Sequence, residues 1–242
     1  MSSNLRLAIT AAAVTLAGVV LSGPVSMALA ALHPQPAWSG ADAFVRAYHP
    51  IQTAAYFTGF LLVGGALALI AALHALAPES LRARSAAALG FAAAFAALII
   101  FNYVVQTTFL PALVRGYGPG DAPLVGALSL SNPRALGWAI EMWGYAVLGV
   151  ATWLVAPVLA VGGGAVGRVA AALFTANGPV SVAGGVLTAA SPGWVMSGAG
   201  LSLFALWNLL MLVMVALSMV ALRGRARSAA APPSPVVPAE AR

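Results

Sequence analysis

This chain contains very few charged residues. Only 7% of its 242 residues are charged, whereas 62% are hydrophobic. A soluble domain carries roughly a quarter charged residues, so no water-soluble fold would hide this much apolar surface. Cysteine and lysine do not occur at all. The first absence excludes disulfides, thiolate metal sites and iron–sulfur clusters, and the second excludes Schiff-base chemistry on a lysine amine.

Long uncharged runs predict transmembrane helices, because crossing the hydrocarbon core takes roughly 20 apolar residues. The run from Val169 to Leu222 is too long for one span, and Ser191-Pro192-Gly193 provides a turn within it. We predict an all-α transmembrane bundle, one domain over residues 1–227, with six spans at about 7–32, 47–77, 86–113, 134–160, 169–190 and 194–222. The proline-rich remainder, 228–242, is expected to be a disordered cytoplasmic tail.

The first span has an alternative interpretation as a cleaved signal peptide. Arg6 precedes the apolar run, and Ala28-Leu29-Ala30 fits a cleavage site. The run is longer than the roughly 7–15 residues typical of a signal peptide, so we expect the span to be retained. Cleavage would leave five spans.

The arginines predict the orientation. With the N-terminus inside, the cytoplasmic side holds Arg6, Arg82, Arg84, Arg168, Arg223, Arg225 and Arg227, against Arg46, Arg115 and Arg134 outside. The positive-inside rule then places both termini in the cytoplasm. This basic charge is expected to face lipid headgroups rather than nucleic acid. The arginine-, alanine- and glycine-rich composition is typical of bacteria, which predicts the bacterial inner membrane.

Polar side chains within the predicted spans fall at similar depth. They occur at spacings of three and four residues, which place them on shared helical faces: His49, Gln52 and Tyr56 in the second span, Asn102 and Gln106 in the third, and Glu141 and Tyr145 in the fourth. In the predicted orientation all lie in the outer third of the membrane. We therefore predict a polar pocket open to the outside, with Glu141 as its charged or proton-carrying member. Its rim would hold Trp138, Trp143 and Trp194.

An equally simple interpretation is that these side chains bond one another and hold the helices together without a ligand. Asn208, in the sixth span, is expected to make such an interhelical contact. Asn132, before Pro133, is expected to cap the N-terminus of the fourth span.

Enzymatic and metal chemistry find little support. His33 lies in a loop, and His49 and His74 lie at opposite ends of one helix, so we predict no haem, no metal site and no cofactor. Ser197 begins the sixth span on the same side as His49 and Glu141, which leaves an intramembrane hydrolase as a remote alternative. No nucleophile-elbow pattern surrounds this serine, and we do not expect an enzyme.

One resemblance rests on the middle of the chain. The run Asn102-Tyr103-Val104-Val105-Gln106, Asn132-Pro133, and Glu141 with Gly144-Tyr145 resemble a group of uncharacterised bacterial six-span membrane proteins. The resemblance implies a similar number of helices and no known activity.

Two functions are therefore weighed. The first is binding or transport of a small amphipathic molecule through the pocket, with Glu141 and His49 coupling occupancy to proton uptake. The second is an accessory or scaffold subunit that docks on a membrane protein partner through small-residue helix faces and the arginine-containing cytoplasmic segment after Leu222. The second requires small-residue faces that point outward as well as inward.

Overall fold

The computed structural model describes residues 2–230, which form helices and connections without a strand. Six of these helices are long and apolar enough to cross a membrane: Ser3–Ala30, Pro50–Ala75, Glu79–Arg115, Leu136–Ala160, Gly164–Ala190 and Gly198–Ala229. The prediction of an all-helical, six-span bundle is confirmed. The last helix continues to Ala230, and the rest of the predicted tail lies outside the described residues.

The six spans form a closed ring in chain order, because each packs against the next and the sixth packs against the first. Consecutive spans run in opposite directions. The connections 31–49, 116–135 and 191–197 therefore share one end of the bundle, the long-loop end. The opposite, short-loop end holds the start of the first helix, the end of the last, and connections 76–78 and 161–163.

Glycines bring the first and second spans into backbone contact. A Cβ atom on Gly18 would lie 2.2 Å from the nitrogen of Leu62, and one on Gly65 would lie 2.6 Å from the nitrogen of Thr15. Only glycine permits helices to approach this closely. The first span is thus an integral part of the ring.

Glycines also end the fourth and fifth spans at the predicted turns. Gly162 and Gly164 adopt φ values of 68° and 60° after the fourth helix ends at Ala160. Gly193 adopts a φ of 99° in the turn that precedes the sixth span. Side chains rarely tolerate this left-handed region.

The boundaries of the third span differ from prediction. Its helix begins at Glu79 and not near residue 86, so Glu79, Arg82 and Arg84 lie in its first turns. Charge marks the limit of the hydrocarbon, but glutamate and arginine are good helix formers, and the helix extends beyond that limit.

The connection from 116 to 135, between the third and fourth spans, is partly helical. It contains a 3-10 turn, Pro119–Asp121, and a helix, Ala122–Leu128. The Asn132 cap is wrong, because the fourth helix begins at Leu136 with Ala135 as its N-cap. The Asn132 side chain instead donates to the carbonyl of Gly126.

The loops at the long-loop end pack on one another. Phe44 and Val125 are buried together beneath Trp38 in a small apolar cluster. The Tyr117 hydroxyl donates to Asp42 across two loops, and this hydrogen bond raises the pKa of Tyr117. The long-loop end is therefore a folded cap.

The two halves of the ring interior differ. Toward the short-loop end the interior is filled by the fully buried side chains of Leu148, Phe174, Met211 and Met214. Toward the long-loop end the spans enclose a cavity.

Candidate functional site

The cavity has a volume of about 280 Å³ and is lined by all six spans. This volume is near the lower end of the roughly 300–1,000 Å³ typical of small-molecule pockets. Most of its lining is apolar, and the polar lining side chains are Ser22, Ser26, Gln52, Tyr56, Tyr103, Glu141, Tyr145, Ser181 and Asn208. Gln52, Tyr56, Glu141 and Tyr145 belong to the pocket expected from the sequence. Trp138 and Trp194, expected at the rim, also line the cavity.

Glu141 is held by donors from the third span. Its Oε2 accepts a 2.7 Å hydrogen bond from the Asn102 amide, which also donates to the carbonyl of Gly137. Its Oε1 accepts a 3.2 Å bond from the Tyr103 hydroxyl. All these donors are neutral, so the carboxyl is oriented without a neighbouring positive charge.

Tyr103 is the site residue that the sequence predictions missed. Its hydroxyl lies 3.0 Å from that of Tyr145, and its ring packs 5.6 Å from the ring of Tyr56 and 5.8 Å from that of Phe60, between centroids. Because Tyr103 donates to Glu141, Tyr145 donates to Tyr103. The sequence signal was its position beside Asn102 and three residues before Gln106, on the polar side of the third span.

Gln52 presents an unused acceptor. Its amide nitrogen donates to the carbonyl of His33 at 3.0 Å, which fixes the orientation of the amide group. Its Oε1 atom is buried and has no hydrogen-bond partner within residues 2–230. An unpaired buried acceptor is uncommon in a native structure, and this one belongs to a residue that lines the cavity.

A chain of hydrogen bonds continues from the cavity into the bundle. Trp207 donates its indole N–H to Ser181, whose hydroxyl donates to Asn177. The Asn177 amide in turn donates to Thr152 at 3.0 Å. These bonds join the fourth, fifth and sixth spans, and they lie beside the site because the Trp207 ring packs edge-on against Tyr145 at 4.7 Å.

Four predicted pocket residues do not line the cavity. Asn102 lies behind Glu141, as described above. Gln106 is buried and donates to the carbonyl of Leu128, in the short loop helix. Trp143 is exposed on the outside of the ring. The side chains of Asn102 and Gln106 therefore connect parts of the protein to one another, as the interpretation without a ligand expected.

His49 is the fourth of these residues. It precedes the second span's helix instead of lying in it, and its Nδ1 accepts from the N–H of Ile51. The residue before a proline avoids helical geometry, so Pro50 was the signal that His49 starts the helix. Its ring stacks on His33, with centroids 3.7 Å apart. His49 thus does not line the cavity with Glu141, with which it was expected to act.

Asn208 was expected to make an interhelical contact, yet it lines the cavity. Its amide nitrogen donates within its own helix, to the carbonyl of Phe204. Gly23 of the first span makes room for it, because a Cβ atom there would lie 3.0 Å from the Asn208 Oδ1.

Ser197 is engaged in local hydrogen bonds. Its hydroxyl donates to the carbonyl of Trp194 and accepts from the N–H of Gly200, in the first turn of the sixth helix. Among the described residues, no hydrogen bond connects it to His49 or Glu141, and this geometry gives the hydrolase alternative no support.

The cavity reaches the outside of the ring between the first and sixth spans. Met27, Leu201 and Phe204 line it, yet they are 63%, 51% and 44% exposed. The first helix changes to π-helical geometry at Leu21–Val25, where Pro24 removes a helical donor. We call this lateral gap, bounded by Met27, Leu201 and Phe204, the side opening.

Comparisons with protein-family models, with curated proteins and with solved structures find no match to this chain. No matched protein therefore indicates a function for this chain, and the cavity is the feature that does.

Proposed function

We propose that this integral membrane protein binds a small amphipathic molecule in the cavity at the long-loop half of the ring. The observation that carries the proposal is the combination of an apolar enclosure with convergent polar groups, Glu141, Tyr145 and Gln52, on its wall. Ligand pockets generally have this composition. In the orientation predicted from the arginines, the cavity lies in the outer half of the membrane.

The side opening supports entry from the lipid. A molecule with a polar head and an apolar body concentrates in the bilayer, where its body meets Met27, Leu201 and Phe204. The opposite half of the ring is closed by Phe174, Met211 and other buried side chains. Binding fits this geometry directly, whereas transport to the other side would require the spans to separate at that packed half.

Native mass spectrometry of the protein, gently extracted from its own membrane, tests the proposal. Ala55 lines the cavity, so Ala55→Phe should fill it and remove a retained small molecule. Ala93→Phe is the matched control, because Ala93 is exposed on the outside of the third span. The proposal fails if the wild-type protein retains no small molecule, or if Ala55→Phe retains it as well as Ala93→Phe does.

A scaffold function remains the second candidate, favoured by one surface of the third span. Towards the short-loop end, this helix exposes small residues at helical spacing: Ala86, Gly90, Ala93, Ala94 and Ala97. A Cβ atom on Gly90 would meet nothing within 4 Å. Such faces permit close helix contact between membrane proteins, so the outward small-residue face that this hypothesis requires is present.

The size of the complex extracted in mild detergent tests this alternative. If a partner helix packs on the third span, Gly90→Leu should release it, because the leucine side chain holds the helices apart. Gly64→Leu is the control, since Gly64 is also open but lies beside the large exposed Phe57 and Leu61. A complex of unchanged size in Gly90→Leu would leave the scaffold function without its observation.

A further inference from the structure

We infer that the molecule bound in the cavity is a lipophilic amine, held by its ammonium group between the Glu141 carboxylate and the free Oε1 of Gln52. This inference rests on the proposed binding function and specifies the chemical class of its ligand. It is carried by the charge of the lining, by one unused acceptor and by the arrangement of aromatic rings.

The charge of the lining selects a cation. Of the cavity-lining residues in the described part of the chain, Glu141 alone is charged, and no arginine or histidine lines the cavity beside it. Between residues 2 and 230 the carboxyl forms no salt bridge, and the ion pair in this part of the chain joins Arg82 to Glu79. An ionised carboxyl enclosed among helices requires a partner, and its protein partners, Asn102 and Tyr103, bring no charge. A bound ammonium group would supply it, whereas an anionic ligand would be repelled.

The unused acceptor selects a ligand that donates. Gln52 lines the cavity and already employs its amide nitrogen on the carbonyl of His33, so its oxygen is the side-chain atom left for a ligand. A primary ammonium group has three N–H donors and no acceptor. It can satisfy both the Glu141 carboxylate and the Gln52 oxygen, which a carboxylate or phosphate headgroup cannot.

Aromatic rings line the cavity that Glu141 also lines. Tyr56, Tyr103, Tyr145 and Trp207 line the cavity and form a connected group through ring contacts and a hydroxyl bond, and Tyr103 joins this group to Glu141. The faces of such rings attract cations. Beyond them the lining becomes apolar towards the side opening at Phe204, which fits an apolar body attached to the amine.

Three probes of nearly equal size and apolar body test the inference: 2-phenylethylamine, 2-phenylethanol and 3-phenylpropanoate. They are a cation, a neutral donor and an anion. Binding is measured by the fluorescence of the lining tryptophans 138, 194 and 207 in nanodiscs of zwitterionic lipid. Because charge-assisted hydrogen bonds are about twice as strong as neutral ones, we expect the amine to bind roughly tenfold or more tightly than the alcohol, and the anion most weakly.

Variants of Glu141 and Gln52 identify the groups responsible, and a variant of Glu79 is the control. Glu141→Gln should reduce amine affinity to about that of the alcohol, and should change alcohol affinity far less because the alcohol carries no charge. Glu79→Gln removes the same charge at the exposed start of the third helix and should change neither. Gln52→Glu tests the site if Glu141→Gln fails to fold, because a second carboxylate should increase the preference for the amine over the alcohol.

The outcomes separate the inference from the function on which it rests. The amine inference is overturned if amine and alcohol bind equally to the wild-type protein, or if neither Glu141→Gln nor Gln52→Glu alters the amine preference. The cavity would then be a pocket for a neutral ligand. If no probe binds and native mass spectrometry finds no retained molecule, the proposed binding function fails as well.

Discussion

The guanidinium of Arg84 donates to the main-chain carbonyl of Trp153 at 3.1 Å, the carbonyl that Pro157 leaves without its helical donor. Proline has no N–H, so within a helix the carbonyl four residues earlier loses its bond. Arg84 also donates to the next carbonyl, that of Leu154, at 2.9 Å. A side chain from the third span thus completes the backbone hydrogen bonding of the fourth.

We expect Arg84→Met to lower the free energy of unfolding by about 1 kcal/mol, the net value of one typical hydrogen bond. In the background of Pro157→Ala, which returns an N–H to the helix, the same substitution should cost less. The measurement is a double-mutant cycle by reversible unfolding in mixed detergent micelles. Arg82→Met is the control, since Arg82 pairs with Glu79 on the surface and such pairs contribute little. If Arg84→Met lowers the free energy of unfolding equally in both backgrounds, Arg84 does not compensate for the hydrogen bond that Pro157 removes.

The spans could be predicted from the sequence because membrane insertion depends on hydrophobicity along the chain. Runs without charge, and the turn at Ser191-Pro192-Gly193, defined each helix to within several residues. Spacing also grouped Glu141 with Tyr145, which do line one cavity. These features are local, and each requires knowledge of only one helix.

The partners of the polar side chains were less predictable, because they depend on the rotation of each helix and on its neighbours in the ring. Gln106 and Tyr103 occupy adjacent parts of the same turn, yet Gln106 turns to a loop helix and Tyr103 to Glu141. Asn208 enters the cavity because Gly23, on another span, leaves space. Spacing within a single helix contains no information about either contact.

The orientation of the bundle is a separate prediction, and the natural absence of cysteine makes it simple to test. We expect Gly120→Cys, at the long-loop end, to react with a membrane-impermeant maleimide added to intact cells. Ser80→Cys, exposed at the short-loop end, should react only after the membrane is opened. This pattern follows from the larger number of arginines near the short-loop end. The reverse labelling pattern would place the cavity in the inner half of the membrane.

Retention of the first span can be examined through its contact with the second. Gly18→Ala should destabilise the protein by about 2 kcal/mol or more, because the added methyl group would overlap the backbone at Leu62. Gly64→Ala should have little effect, since a Cβ atom there meets nothing within 4 Å. Thermal unfolding of the mature protein provides the comparison. If Gly18→Ala is as stable as the wild type and the intact mass lacks the first residues, the five-span alternative is correct.

The hydrogen-bond chain below the cavity should affect stability and not ligand preference. Asn177→Ala removes the donor to Thr152 and the acceptor for Ser181, between three spans, so we expect a loss of about 1–2 kcal/mol. Ser218→Ala is the matched control, because the buried Ser218 hydroxyl donates only within its own helix, to Val215, and its loss should cost less. Unfolding in mixed micelles measures both.

The ratio of amine to alcohol affinity should be the same in Asn177→Ala as in the wild type, because the charge of the cavity resides on Glu141 and not on this series of hydrogen-bonded side chains. A changed ratio at unchanged stability would assign Asn177 to the binding site instead of to the helix contacts that support it.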